Sequence, residues 1–179
     1  MGNALLTKAS SSGGSSVFSK VPVYHFEELH EVAVRTSGEW TTAQYPLTDS
    51  KTLHDILDPT QPPPAIQIII DIDVNSNGQN TSIGLDSHQL YDNEFEYCVF
   101  STVYTTGSYQ HIYCSILMIR AFTTSTAGTD GSELCYTAIT DTYGTTVEAF
   151  TTFAPKINVN SGTSRVYRKN LSIDIYAIY

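Results

Sequence analysis

The stretch that decides the fold is residues 165–179, RVYRKNLSIDIYAIY. Apolar and polar residues alternate along it, which is the two-residue period of a β-strand that packs one face on a core. The apolar set is Leu171, Ile173, Ile175 and Ala177, and the polar set between them is Asn170, Ser172 and Asp174. The sequence therefore predicts a long strand whose second face meets water or a partner.

Further strands are predicted along most of the chain. Residues 21–36 alternate but carry acidic insertions, which is typical of an edge strand, and Ile68-Ile69-Ile70 predicts a strand buried on both faces. The other predicted strands are 94–105, 111–123, 134–140 and 145–153. Together these patterns predict an α+β protein dominated by β-structure, with antiparallel sheets of about seven or eight strands and one short covering helix.

Turn residues predict how the strands are connected. Asn77-Gly78 is the strongest hairpin-turn pair, and short turns at 106–108 and 141–144 predict two more hairpins. The hairpin at 106–108 would bring Cys98 near Cys114.

The helix signal covers residues 49–57. Leu53, Ile56 and Leu57 fall at helical spacing, and Thr48 or Asp49 can cap the first turn. Pro59 ends the helix, and the segment 59–65, PTQPPPA, must be extended because each proline fixes its own φ.

The length of 179 residues suits one domain, which we place at 21–179, preceded by an arm at 1–20. The arm carries a Ser/Gly tract, the composition of a flexible segment, so we expect it to be disordered alone and to order against a neighbouring subunit. Its candidate self-assembly residues are Leu5, Leu6, Val17 and Phe18. Gly2 is a candidate for myristoylation, although Leu6 stands where a Ser or Thr is expected.

The motifs argue against catalysis and against metal binding. The histidines of HFEELHE, residues 25–31, are five apart and would lie on opposite faces of a strand, and a calcium-like loop at 73–78 lacks its closing glutamate. Cys98, Cys114 and Cys135 cannot all pair within one chain and are expected to be free thiols. We therefore expect a protein that is not an enzyme and needs no metal or cofactor.

Charge is unevenly distributed along the chain. The net charge is −9, yet Lys156, Arg165, Arg168 and Lys169 stand within a stretch, 149–173, that has no acidic residue. We interpret these four residues as a basic patch for a partner, for anionic lipid or for a nucleocapsid, without sequence-specific reading of nucleic acid. A solvated loop and strand start is the alternative.

The order of elements resembles that of rhabdovirus matrix proteins, in particular those of plant-infecting members. The resemblance rests on a Ser/Gly-rich arm, a strand that ends in VAVRTSGEW, a short helix at TDSKTLHDIL, the strand AIQIIIDI and the final strand SRVYRKNLSIDIYAIY. The acidic net charge departs from animal-virus matrix proteins, which are typically basic. Incomplete likenesses to the late-budding motifs of viruses are formed by Pro59, Thr60, Pro62, Pro63 and Pro64.

The resemblance implies a non-enzymatic matrix-type structural protein that self-assembles under a viral envelope and bridges it to the nucleocapsid. Its partners would be other copies of itself, the nucleocapsid and the inner membrane leaflet. It would be found in the virion, the host cytoplasm and the cytoplasmic face of membranes. A β-rich viral capsid or cement subunit is the alternative function, and a cellular β-rich adaptor or ligand-binding module is the third.

Overall fold

The computed structural model describes residues 21–35, 42–89, 95–121, 134–139 and 147–179. Within these ranges the chain forms thirteen strands and one helix. In chain order they are β1 (Tyr24–Glu28), β2 (Val32–Arg35), β3 (Ala43–Pro46), β4 (Lys51–Thr52), α1 (Leu53–Ile56), β5 (Ala65–Asn75), β6 (Thr81–Gln89), β7 (Phe95–Val103), β8 (Gln110–Arg120), β9 (Tyr136–Ile139), β10 (Val147–Phe150), β11 (Thr152–Phe153), β12 (Pro155–Val159) and β13 (Val166–Ile178).

Eight of these strands form two four-stranded antiparallel layers. The first sheet has the order β1, β13, β5, β8, and the second sheet has the order β3, β12, β6, β7. Among the eight strands, the first in the chain pairs with the last, the second with the seventh, the third with the sixth, and the fourth with the fifth. This nesting is that of a long hairpin ribbon rolled into two layers, the jelly roll. The prediction of a β-dominated fold with antiparallel sheets and one short helix is confirmed.

The core lies between the two sheets and follows the alternation of the strands. In β5 the buried residues are Ile66, Ile68, Ile70, Ile72 and Val74. In β13 they include Leu171, Ile173, Ile175 and Ala177, as the sequence predicts. The second sheet contributes Ile83, Leu85, Ile157 and Val159 to the same apolar cluster. The expectation that Ile69 is also fully buried is wrong, because it points away from the core and is half-buried on the outer face of the first sheet.

The strand predicted at 21–36 is interrupted in the structure. β1 and β2 both pair with β13, but residues between Glu28 and Val32 leave the ladder. The register of β13 shifts at the same place, where Asn170 adopts φ of +50° and its N–H donates to the carbonyl of Leu29 at 3.3 Å. A bulge in β13 therefore breaks the edge strand into two short pieces.

The turns at 77–78 and 106–108 form, but the two hairpins predicted from them are wrong. Asn77 and Gly78 have positive φ, as the sequence predicts, yet β5 belongs to the first sheet and β6 to the second. The turn between β7 and β8 also crosses from one sheet to the other, so Cys98 and Cys114 are not ladder neighbours. Turn residues specify a reversal of the chain, whereas the choice of sheet is made by long-range packing.

Buried hydrogen bonds join these two crossing turns. The Ser76 N–H donates to Thr105 Oγ1 at 2.9 Å, and the Thr105 N–H donates to Ser76 Oγ at 2.6 Å. Each hydroxyl thus accepts from the other residue's backbone, which fixes the two turns side by side at one end of the jelly roll.

The third predicted hairpin is confirmed in its strand pairing. β9 pairs with β10, while the turn residues 141–144 lie outside the described ranges. β9 pairs antiparallel with the end of β8 at Ile119 and Arg120, and β10 pairs with the end of β6, so this hairpin links the two sheets by hydrogen bonds. Tyr136, which is fully buried, donates its hydroxyl to the carbonyl of Pro63 at 2.7 Å and so holds this hairpin against the proline segment.

The helix is shorter than the sequence predicts and begins later. α1 spans Leu53–Ile56, and its cap is Thr52, whose Oγ1 accepts from the Asp55 N–H at 3.1 Å, so the predicted caps Thr48 and Asp49 are wrong. The short strand β4 pairs with β11 and occupies the residues that would have formed the first turn. Leu53 and Leu57 are buried against the core, and Ile56 packs beside it.

Candidate functional site

The outer face of the first sheet carries the side chains that alternate with the core positions of β1, β13, β5 and β8. One end of this face is polar and the other is apolar. The polar end consists of His25, Glu27, Asp71, Asp73, His111, Lys169, Ser172 and Asp174. The apolar end consists of Ala65, Leu117, Ile119, Tyr176 and Ile178.

Histidine–carboxylate pairs organise the polar end. His111 Nδ1 lies 3.0 Å from Asp73 Oδ1, and its Nε2 lies 3.5 Å from Asp71 Oδ1. At the opposite edge of the sheet, on the same face, His25 Nδ1 lies 2.7 Å from Asp174 Oδ1, directly across the β1–β13 ladder. Both histidines are largely exposed, so these pairs stabilise the fold weakly, and among the described residues no cluster suited to a metal ion exists.

A cation and a tyrosine close the polar end. The Lys169 Nζ lies 4.2 Å from the centre of the Tyr109 ring, and the Tyr109 hydroxyl donates to Glu31. Burial and the neighbouring Glu31 carboxylate raise the pKa of Tyr109, so the phenol stays protonated and remains a donor. Lys169 of β13 is thereby held over the ring of Tyr109, which lies directly before the start of β8.

The apolar end is exposed and borders an open strand edge. Leu117 and Ile119 are 58% and 59% exposed, and Tyr113 beside them on β8 is 56% exposed. β8 pairs with β5 along Gln110–Ile119, but on its other side the described residues give it a partner at Ile119 and Arg120 alone. Residues 112–119 carry no ionisable acid or base apart from Tyr113 and Cys114, so this edge lacks the charges that usually prevent strand pairing.

Cys114 lies on the core side of this edge strand. Its thiol is buried and forms no disulfide, and the same is true of Cys98 and Cys135, as the sequence predicts. Burial raises the pKa of the Cys114 thiol, so the group behaves as a small apolar side chain.

The four residues predicted as a basic patch are divided between the two sheets. Lys156 lies on β12 of the second sheet and pairs with Asp86. Arg168 on β13 is buried and forms an ion pair with Glu28. The contact is electrostatic, because neither Arg168 Nη1 nor Glu28 Oε2 has hydrogen-bond geometry. Lys169 lies over Tyr109, and Arg165 is exposed just before β13. Two of the four cations, Lys156 and Arg168, are therefore paired with acids from elsewhere in the chain.

Arg35 is a second buried arginine that sequence reasoning missed. Its Nη1 donates to the carbonyl of Asn160 at 2.9 Å, and its Nε and Nη2 donate to the carbonyl of Ser164 at 3.3 and 3.1 Å. These bonds tie the end of β2 to the connection between β12 and β13.

The proline segment is an extended connector that packs on the fold. The carbonyl of Pro62 accepts from Arg120 Nη1 at 3.3 Å, that of Pro63 accepts from Tyr136, and Pro63 is buried. Thr60 bonds through its N–H and hydroxyl to Asp58, while Pro59 and Pro64 are exposed. The arm residues Gly2, Leu5, Leu6, Val17 and Phe18 lie outside the described ranges.

A depression of about 480 Å³ lies on the second sheet. Its described lining includes Ser82, Thr102, Tyr104, Asn158 and Asn160, which offer hydroxyl and amide groups. These groups suit weak polar contacts, and they do not form the nucleophile, base and orienting partner that covalent catalysis needs.

Comparison of the chain with protein-family models, with curated proteins and with solved structures finds no match. The strand order defines the fold class, which is an eight-stranded jelly roll with an added hairpin and one short helix. No helix in the described parts of the chain is long and apolar enough to cross a membrane.

Sequence reasoning did not single out Tyr113, Leu117 and Ile119. A signal for them was present, because the uncharged run at 112–119 has large apolar residues at both parities. When one parity fills the core, the other must face outward, so an exposed apolar stripe follows from the sequence once β8 is known to be a strand.

Proposed function

We propose that the protein is a non-enzymatic structural subunit of a virus particle, and that it assembles with copies of itself as a capsid or shell subunit. The observation that supports this proposal best is the nesting of the eight strands, because the jelly roll is a common architecture of viral capsid domains. Fold alone does not define function, so the exposed apolar surface beside the open β8 edge is the second support.

The matrix-type role remains a proposal of the second rank. It needs the same self-association but adds a membrane and a nucleocapsid as partners. The basic residues give it less support, because Arg168 and Lys156 pair with Glu28 and Asp86 inside the fold. Of the four residues of the basic patch, Arg165 and Lys169 would be the two left for an anionic partner.

A ligand-binding module is the competing class from outside virus structure. Jelly rolls also serve as lectin domains, and the depression on the second sheet presents amide, hydroxyl and tyrosine groups. This function would make self-association unnecessary, which separates it from the proposed one.

Electron microscopy of the purified full chain, over a range of protein and salt concentrations, tests the proposal. We expect closed shells or tubes at high protein concentration. Dispersed single subunits under every condition would contradict the shell-subunit function. Assembly that requires anionic vesicles would instead favour the matrix-type role.

A further inference from the structure

The open edge of β8 is the feature of the molecule that lacks a structural explanation. Along residues 112–118 the strand presents backbone N–H and C=O groups on the side away from β5, and no described strand pairs with them. Such an edge is a template for another strand, and folded proteins usually guard it with charge, proline or a bulge. Residues 112–118 contain none of these devices, since β8 is paired without a register shift and carries neither a proline nor a charged side chain there.

The opposite edge of the same sheet is guarded in several ways. β1 is five residues long, carries Glu27 and Glu28, and is separated from β2 by the bulge at Asn170. A sheet with one guarded and one open edge can pair once with another copy and then stop.

We propose that two copies of this chain pair through β8, antiparallel and about a twofold axis, so that their first sheets join into one eight-stranded sheet. The partner is a second copy because β8 is complementary to itself. With Ser115 on the axis, the open residues 112–118 of the two copies pair with each other, and Tyr113 of one copy lies opposite Leu117 of the other. The pairing ends at Met118, because β9 already occupies the edge at Ile119 and Arg120.

This register also avoids a clash of charge. The paired segment, residues 112–118, carries no charged side chain, so like charges do not face each other. It places the exposed Tyr113 and Leu117 side chains of both copies in contact on the outer face, where cross-strand pairs of aromatic and aliphatic residues stabilise a sheet. The exposed apolar end of the face is thereby partly covered.

The inference deepens the proposed self-assembly but can be tested without it, because a dimer needs no shell. The first test compares two substitutions by sedimentation equilibrium, Leu117→Lys and Leu29→Lys. Leu117 and Leu29 are both 58% exposed, and they lie at the open and the guarded edges of the same sheet. The two substitutions therefore match in chemistry and in exposure and differ only in the edge at which they lie.

We expect wild-type dimers, a dissociation constant raised about a hundredfold by Leu117→Lys because symmetry introduces the change twice, and no change for Leu29→Lys. Wild-type protein that is monomeric at high micromolar concentration would overturn the inference, and so would an unaffected Leu117→Lys dimer. Circular dichroism checks that both variants are folded.

Disulfide trapping provides a second measurement that does not depend on weakening the dimer. Directly opposed residues of antiparallel strands have Cα atoms about 4.5–5.5 Å apart, within the range of a disulfide. Ser115→Cys should therefore form a covalent dimer on oxidation. Leu117→Cys should not, because the two copies of that residue lie four positions apart along the strand, about 13 Å. Equal trapping of both variants, or of neither, would rule out the proposed register.

The two proposals fail separately. Dimers without larger particles would retain the β8 pairing and contradict the shell-subunit function. Shells formed equally well by Leu117→Lys would retain the shell-subunit function and contradict the β8 pairing.

Discussion

The two edges of the first sheet differ in almost every property that controls strand pairing. At one edge, β1 and β2 are short, separated by a bulge in β13, and lined by acidic side chains. At the other, β8 runs for eleven residues, without a charged side chain from Ile112 to Ile119. Both edges belong to one folded layer, so the stability of that layer does not explain the difference. The proposed pairing of two copies through β8 would explain it, because one edge would then have to associate and the other to remain closed.

The largest effect is expected from opening the guarded edge. The double substitution His25→Val with Glu27→Val removes a charge and a histidine from the outer face of β1 and adds two strand-forming residues. With both edges able to pair, contacts no longer close, and we expect chains of copies with a mass more than about ten times that of the dimer. Light scattering measures this growth.

The control for that experiment is Asp49→Val, which removes an exposed carboxylate outside both sheets. It should leave the mass unchanged. A double variant at β1 that remains the size of the wild-type protein would show that charge does not guard this edge.

The next effect concerns the ion pair beneath the guarded edge. Glu28→Ala leaves the buried Arg168 guanidinium without its partner, and we expect a loss of about 3 kcal/mol in the free energy of unfolding. Urea denaturation measures the loss. Glu27→Ala, one residue away and exposed, should change stability by less than about 0.5 kcal/mol. Equal effects of the two substitutions would show that the pair with Arg168 is unimportant.

A smaller effect is expected at the covered end of β8, where the β9 hairpin is held by Tyr136. Tyr136→Phe removes the hydrogen bond to the Pro63 carbonyl and should lower stability by about 1 kcal/mol at neutral pH. Tyr104→Phe removes a hydroxyl from an exposed tyrosine and serves as the comparison. The result would be contradicted by an unchanged midpoint of unfolding.

The same tyrosine makes the fold sensitive to alkali. Burial raises the pKa of Tyr136 to about 12, above the ordinary value of about 10 for a tyrosine in an unfolded chain. Between these values the unfolded state loses a proton that the folded state keeps, so stability is constant below pH of about 10 and falls as the pH rises toward about 12. Urea unfolding at several pH values should show this fall, and Tyr136→Phe should reduce it. A fall of equal size in the variant would assign it to other tyrosines, such as Tyr109 or Tyr176, whose pKa values burial also raises.

Local alternation allowed the strands of the core to be predicted. β13 and β5 carry apolar residues at every second position, and this period alone identifies the buried face. The prediction weakened where a bulge changes parity. In β13 the buried residues before Asn170 are Val166 and Arg168, and after it they are Leu171 and Ile173, so Arg168 appeared to be a surface cation.

The pairing of strands could not be predicted from turns. Asn77 and Gly78 adopt the positive φ that their side chains favour, but the strand that follows crosses to the other sheet. The jelly-roll order depends on contacts between the first and last strands of the chain, which no local pattern encodes. The basic patch failed as a prediction of one surface for the same reason, since Asp86 and Glu28 reach its members from distant strands.

Hydrogen exchange at the two edges tests the central claim most directly. Within residues 112–118, the alternate amides that point away from β5, those of Tyr113, Ser115 and Leu117, should exchange more slowly as the protein concentration rises, because pairing with a second copy gives them partners. The amides of residues 24–28 in β1 should exchange at a rate that does not depend on concentration. Concentration-independent exchange at β8, or equal slowing at both edges, would contradict assembly through the open edge.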